Sequence, residues 1–343
     1  MSGVTRHDET VLRQPAPEGR GGSPAAELVT LTDIKAAAAR LSGVCVRTPL
    51  IPYPLAEPPL LIKAESLQPV GAFKLRGAYN AIARLPREVR ARGLVAHSSG
   101  NHAQAVAYTA RRLKIPVVLV IPHTAPGVKV EACRRLGAEI VFVEPTHEAR
   151  VATAERLAEA HGFALVPPFD HLDVIAGQGT VGLEIAQDAP EVEVVLVPVG
   201  GGGLIAGVAA AVRAMRPQAK VIGVEPELAA DARASLLAGR PVTWPAEDVG
   251  RTIADALRAQ RVGSLTFAHI KEHVDDIITV REPEIRETMR RLARQARLIA
   301  EPGGAVAVAA YLFHRDELPA ASAYVAVLSG GNADPALLTE VLA

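Results

Sequence analysis

VVLVPVGGGGLIAGVAAAV, from Val194 to Val212, contains no charged residue and places four consecutive glycines at its centre. Its length approaches the ~20 apolar residues of a membrane-spanning helix. Pro198 and Gly200 to Gly203 would break such a helix near its middle, however, and the half before them is β-branched while the half after is rich in alanine. The stretch therefore reads as strand, glycine loop, helix. Bare amides at a helix N-terminus favour an anion, because no side chain blocks its approach and the helix dipole attracts it. No Gly-Lys-Ser/Thr follows, which rules out a classical P-loop. Gly201, Gly203 and Ala206 also satisfy the loose dinucleotide pattern, with Glu225 about 20 residues on where a ribose-binding acid would belong. Pro198 in the preceding strand speaks against that reading. A phosphate monoester held by amides, each charge-assisted bond contributing roughly 1.5–3 kcal/mol, is the simpler ligand.

The 343 residues are 49% hydrophobic, enough for a large core and long for one compact unit, so two lobes are expected. Thirty-seven basic residues balance thirty-seven acidic ones, leaving no field to attract nucleic acid or a membrane surface. Cys45 and Cys133 have no metal-type spacing and suit a reducing cytoplasm. Residues 1–27 are polar and rich in Gly and Pro, without the apolar stretch of a signal peptide, and are expected to form a disordered tail. Beyond them GLVAHS, VVLVIP, EIVFVEP, EVVLVPV, KVIGVEP, DIITV and YVAVLSG read as buried strands alternating with amphipathic segments. Helices are expected at 34–41, 74–85, 103–113, 128–136, 149–160, 204–215 and 284–296. The fold class is α/β, with two lobes of open parallel or mixed sheet and flanking helices.

Ligands in such sheets bind beyond the carboxyl ends of strands. Four unusual stretches fall there: HSSGNH (His97 to His102), the glycine tetrad, EPELAAD (Glu225 to Asp231) and SGGN (Ser329 to Asn332). Of the thirty-seven basic residues only seven are lysine, at 35, 63, 74, 114, 129, 220 and 271. Lys74 is distinctive, because it follows Gly71, Ala72 and Phe73 and opens a helix, a setting in which desolvation lowers an amine's pKa towards imine chemistry. Lys63 simply closes the run LLIK.

GAFKLRGA, SSGNHAQA, VPVGGGGL and VLSGGN, in that order, resemble the tryptophan-synthase-β-like (fold type II) pyridoxal-phosphate enzymes, and among them the serine/threonine dehydratase and serine racemase family. The likeness runs from about residue 30 to the C-terminus and includes VIAGQGTVGLEI (Val174 to Ile185) and TIADAL (Thr252 to Leu257). It implies that Lys74 carries pyridoxal 5'-phosphate covalently and takes the substrate Cα proton, with Phe73 packed on the ring. It further implies that Asn101 bonds the cofactor's 3-hydroxyl, that the amides of Gly200, Gly201, Gly202, Gly203 and Leu204 hold the phosphate, and that Ser329 faces the pyridine nitrogen. Ser98, Ser99, Gly100, Asn101 and His102 are expected to hold the substrate carboxylate. A large cofactor-binding domain at 28–87 and 169–343, a small domain at 88–168 and a homodimer also follow from the likeness.

Within that family the details are mixed. Ser99 matches a serine acid/base that serine racemases and hydroxyaspartate dehydratases resemble each other in carrying, on the cofactor face opposite the lysine; its alternative is a plain helix cap. Glu225, the carbonyl of Ala229 and Asp231 match a divalent-cation site, a hard-ligand set suited to Mg²⁺ or Ca²⁺. Arg150 matches an arginine near the distal end of dicarboxylate ligands and could pair a β-carboxylate. The loops EPGGA (Glu301 to Ala305) and RAQRVG (Arg258 to Gly263) depart from commoner variants, the second being bulkier and more basic. His123, His147 and His171 fit no ligand spacing and are expected in loops. The expected activity is a short-form L-serine/L-threonine ammonia-lyase without an appended regulatory domain. Serine racemase and threo-3-hydroxyaspartate ammonia-lyase are the near alternatives, with a nicotinamide oxidoreductase and a pure binding module behind them.

Overall fold

The structure is a computed structural model that describes residues 27–343 except Ser99 and Pro126, and leaves the side chains of Val128 and His147 undescribed. The expected tail therefore lies, save for Glu27, outside the described residues. Two sheets organise the rest. The larger has the order β1-β2-β10-β7-β8-β9: β1 Leu50–Pro52, β2 Leu60–Ala64, β7 Val194–Pro198, β8 Lys220–Pro226, β9 Asp276–Val280 and β10 Tyr324–Leu328. All its pairings are parallel except β1 with β2. The smaller has the order β5-β4-β3-β6 and is parallel throughout: β3 Leu94–His97, β4 Val117–Pro122, β5 Glu139–Val143 and β6 Ala164–Leu165.

Each of the seven apolar runs is a strand, because β-branched residues such as Val194, Val195 and Val197 fit a pleated surface covered on both faces; β5, expected to be buried, is instead a partly exposed edge strand. β1, β2 and β6 are not announced by any apolar run. The first and last have three and two residues, too few to show a period, and β2 carries Lys63 in its interior. The seven expected helices form within a few residues, although the last changes pitch: an α-helix Glu282–Arg291 continues as a π-helical turn, Leu292–Ala296, closed by Arg297 with φ 61°. Of the three histidines expected in loops His147 departs, opening the helix His147–His161, whereas His123 and His171 lie outside helices and strands, His171 capping Leu172–Asp188 with Nδ1 accepting from the Asp173 amide at 3.1 Å. No helix among the described residues is long and apolar enough to cross a membrane.

Helices Leu172–Asp188 and Pro302–Phe313 are covered nearly all round, so they lack the amphipathic period by which a surface helix is read. The first is the scaffold of the site. A Cβ on Gly177 would fall 2.6 Å from the Arg76 carbonyl of helix Lys74–Arg84, and one on Gly207 would fall 2.3 Å from the Ile175 carbonyl. The helix behind Lys74 and the helix Gly203–Met215 behind the glycine loop thus rest backbone to backbone on one support. Polar contacts reinforce the first of these joints. Arg76, 1% exposed, pairs with Glu65 at 2.8 Å and with Glu184 at 2.7 Å, and Lys63 reaches Glu184 at 2.6 Å. Two cations and two anions are there removed from water together. The other face of helix Lys74–Arg84 packs Leu75, Ala78 and Ile82 into the core beneath the smaller sheet.

Candidate active site

A cleft of about 500 Å³ is lined by Phe73, Lys74, Ser98, Gly100, Asn101, His102 and Arg150, and also by Gly200 to Leu204 and Ser329. Thirteen residues singled out from the sequence thereby meet in one place. Ser99 lies outside the described residues.

The segment before Lys74 is stitched to the end of β10. Ala72 bridges Gly330, the Phe73 amide donates to the Ser329 carbonyl at 3.0 Å, and the Gly331 amide donates to that of Gly71 at 2.8 Å. Lys74 Nζ then projects into the cleft, 5.2 Å from the centroid of the Phe73 ring, and donates to the Pro168 carbonyl at 2.7 Å. No carboxylate among the described residues pairs with it, and burial lowers the amine to about 8.

The glycine loop has two steric requirements. Gly202 sits at φ 89°, in the left-handed region, and a Cβ on Gly201 would fall 2.4 Å from the Phe169 ring. The Thr266 hydroxyl donates to the Gly201 carbonyl at 2.9 Å, holding the loop from behind. The first amides of helix Gly203–Met215 have no intrahelical acceptor, so an anion-binding end faces the cleft that holds Lys74.

Asn101 opens its helix between two partners. Its Nδ2 donates to Glu301 at 2.6 Å, and its Oδ1 accepts from Asn332 at 2.8 Å. Ser329 is buried and donates to the Gly303 carbonyl at 3.4 Å. His102 departs from the role of substrate donor as far as Nε2 is concerned. That nitrogen lies 3.0 Å from the Val166 carbonyl, which can only accept, and burial depresses the imidazole to about 3, so the ring is neutral. Ser98 Oγ accepts from the Gly100 amide at 3.2 Å. Arg150 is half-buried and spends Nε on the Thr146 carbonyl at 3.2 Å; no carboxylate pairs with it among the described residues. Glu301 joins the same cleft as a buried carboxyl that burial and the charge of Asp255 push up to about 7. Lys129, beside the smaller sheet, forms an ion pair with Asp255, beside the larger one, at the mouth. From the sequence Glu301 was only a variant loop and Lys129 one helical lysine among several.

Glu225, Ala229 and Asp231 are brought together elsewhere, at the end of β8. Glu225 accepts from the amides of Ala232 at 3.0 Å and Arg233 at 2.8 Å, is fully buried and does not line the cleft, so it cannot serve a ribose there. Both carboxylate oxygens of Asp231 are buried and make no well-formed hydrogen bond among the described residues, although the Asp231 and Val262 amides lie near enough to act on the carboxyl. Burial raises both carboxyls, Asp231 to about 7, with Asp231 adding to the rise at Glu225. No group of three or more His, Cys, Asp or Glu among the described residues is arranged to hold a metal ion, so a cation here would need backbone oxygen and water besides the two carboxylates.

A lone buried amine facing an anion-binding helix end, in the crevice between two parallel sheets, defines an enzyme that works through a phosphorylated carbonyl cofactor. The chain belongs to the family described as pyridoxal-phosphate dependent enzyme, whose model matches residues 41–330. It is 44% identical over 320 residues to the L-threonine ammonia-lyase of Thermotoga maritima, a match covering 92% of this chain and 78% of that one. It is 40% identical to the L-threo-3-hydroxyaspartate ammonia-lyase of Saccharomyces cerevisiae, across 89% of this chain and 94% of that protein. The structure of maize serine racemase superposes with a TM-score of 0.87 at 36% identity, covering 92% of this chain and 97% of the other. The expected family and fold class hold, and the dinucleotide reading of the glycines gives way.

Proposed function

We propose that this protein is a pyridoxal-phosphate-dependent ammonia-lyase converting L-threonine and L-serine to the 2-oxo acid and ammonia by α,β-elimination. The observation that carries the reading is Lys74: a cleft-facing amine without a counter-ion, opposite free helix amides. Ammonia-lyase relatives at 40–44% identity along most of the chain support it.

Bound pyridoxal phosphate would supply an electron sink for charge developing at the substrate Cα. The rest falls to the chain's own residues. Amides of Gly200 to Leu204 would hold the phosphate, Phe73 would pack on the ring, and Asn101 would donate to the 3-oxygen. Lys74 would hold the cofactor covalently, and an amine held near 8, far closer to working pH than an ordinary lysine, is suited to take the Cα proton. Ser329 would offer the ring nitrogen a neutral hydroxyl, which does not force a positive charge there, an environment suited to elimination of the β-hydroxyl. The amides of the Ser98 to His102 turn receive the substrate carboxylate. Ser99 is assigned the proton on the opposite face, which would permit some racemisation. Glu225, the Ala229 carbonyl and Asp231 would hold Mg²⁺ or Ca²⁺, a reading supported by the buried Asp231 oxygens, which make no well-formed hydrogen bond among the described residues. A homodimer and a cytoplasmic setting complete the proposal.

Arg150 favours a second reading, in which its unpaired guanidinium on the cleft wall receives the second carboxylate of threo-3-hydroxyaspartate. Purified enzyme is to be incubated with L-threonine, L-serine and L-threo-3-hydroxyaspartate while oxo acid and D-serine are measured together. Oxo acid from the first two substrates is expected; abundant D-serine beside negligible oxo acid overturns the lyase reading, and turnover of hydroxyaspartate alone replaces it with the second.

A further inference from the structure

Three consecutive contacts determine which way the Asn101 amide points. Asn332 Nδ2 lies 2.8 Å from the Val70 carbonyl, which can only accept, so the atom there is the amide nitrogen. Its other N–H is directed at Asn101, 2.8 Å away, so the Asn101 atom receiving it is the oxygen. Asn101 Nδ2 is thereby turned towards Glu301 and gives it one N–H at 2.6 Å.

We propose that Asn332 and Glu301 are positioning residues, which together lock the amide of Asn101 so that its remaining N–H points into the cleft as the donor to the cofactor's 3-oxygen. This rests on the reading of Asn101 given above. Glu301 suits the part because its place is rigid. It is 3% exposed, its amide donates to the Gly330 carbonyl at 3.0 Å, and a Cβ on Gly330 would fall 2.3 Å from Oε1. Asn101 is its only side-chain partner among the described residues. Burial and Asp255 raise the carboxyl, while Asn101 and Lys129 lower it, leaving it at about 7; an oxygen able to accept from Asn101 is present in either protonation state.

The test compares Asn332→Asp, Glu301→Gln and Glu301→Leu with wild type, reading the Kd of each apoenzyme for pyridoxal phosphate and the absorbance spectrum of the bound form. An Asp at 332 cannot donate to either of its acceptors, so cofactor affinity is expected to fall about tenfold or more with a changed spectrum. Glu301→Leu removes the acceptor and is expected to do the same, whereas Glu301→Gln retains one and should stay within about threefold of wild type. Circular dichroism of each apoenzyme checks folding; if Asn332→Asp does not fold, the Glu301 pair decides alone. Wild-type affinity and spectrum in both Asn332→Asp and Glu301→Leu would overturn the proposal, as would equal losses in Glu301→Gln and Glu301→Leu. Borohydride trapping of wild type on a lysine other than Lys74 would instead overturn the underlying reading of the site.

Discussion

Lys63 and Lys74 are both withdrawn from bulk water, one on a strand and the other at the start of the next long helix, yet they have opposite fates. Lys63 touches the Glu184 carboxylate and the Thr48 carbonyl, both at 2.6 Å, within a cluster whose charges cancel. Lys74 has one carbonyl as its hydrogen-bond partner and no carboxylate among the described residues. Burial presses both amines downward; at Lys63 the facing carboxylate resists, whereas at Lys74 desolvation acts unopposed. Desolvation by itself therefore does not mark a reactive amine: the missing counter-charge does.

The contrast is broken most severely at the unpaired amine. Lys74→Ala is expected to cut turnover by about a thousandfold or more and abolish borohydride-stable attachment of the cofactor, while leaving the unfolding temperature of the apoenzyme unchanged. Removing the shared anion tests the other half. In Glu184→Ala, Lys63 loses its carboxylate and Arg76 loses one of two, so unfolding in urea should be easier by about 3–5 kcal/mol, with turnover per folded molecule nearly preserved. The reverse result, intact stability with lost turnover, would erase the distinction between the two sites.

A subtler measure is the rate at which apoenzyme takes up pyridoxal phosphate. Since only the free base of Lys74 attacks the aldehyde and its amine titrates at about 8, uptake should climb roughly tenfold per pH unit below that value and level off above it. A midpoint near that of an ordinary lysine would show that the amine is not perturbed. The smallest effect is expected from Lys63→Met. Glu184 keeps Arg76 as its partner, so a loss of only about 1–2 kcal/mol is expected in the same urea titration.

The sequence made legible what depends on residue type along a continuous stretch: seven strands, the loop at Gly200 to Gly203 and seven helices, though not Ser264–His273 or Pro335–Leu342. It did not disclose helices Leu172–Asp188 and Pro302–Phe313, whose burial on every side erases the period that reveals an amphipathic helix. Lys63 was passed over for a related reason. Its partners Glu184 and Arg76 are distant in the chain, and nothing in LLIK announces them. Glu301 and Asn332 act through contacts separated by about two hundred residues and more, so only the fold could reveal their convergence on Asn101. Asn101, Lys74 and the glycines were recognisable because their neighbours in sequence form motifs.

Gly207 sits one helical turn beyond Gly203, touches no ligand, and lets two backbones meet where a Cβ would lie 2.3 Å from the Ile175 carbonyl and 2.4 Å from the Gly179 nitrogen. The proposed phosphate cradle is therefore mounted like the short arm of a lever, with its fulcrum at this crossing. Even one methyl group inserted there must lift the whole helix, and its leading turn cannot remain where it was. Gly207→Ala should weaken capture of free inorganic phosphate by the apoenzyme, making a residue remote from the chemistry the gauge that sets how closely the anion is gripped.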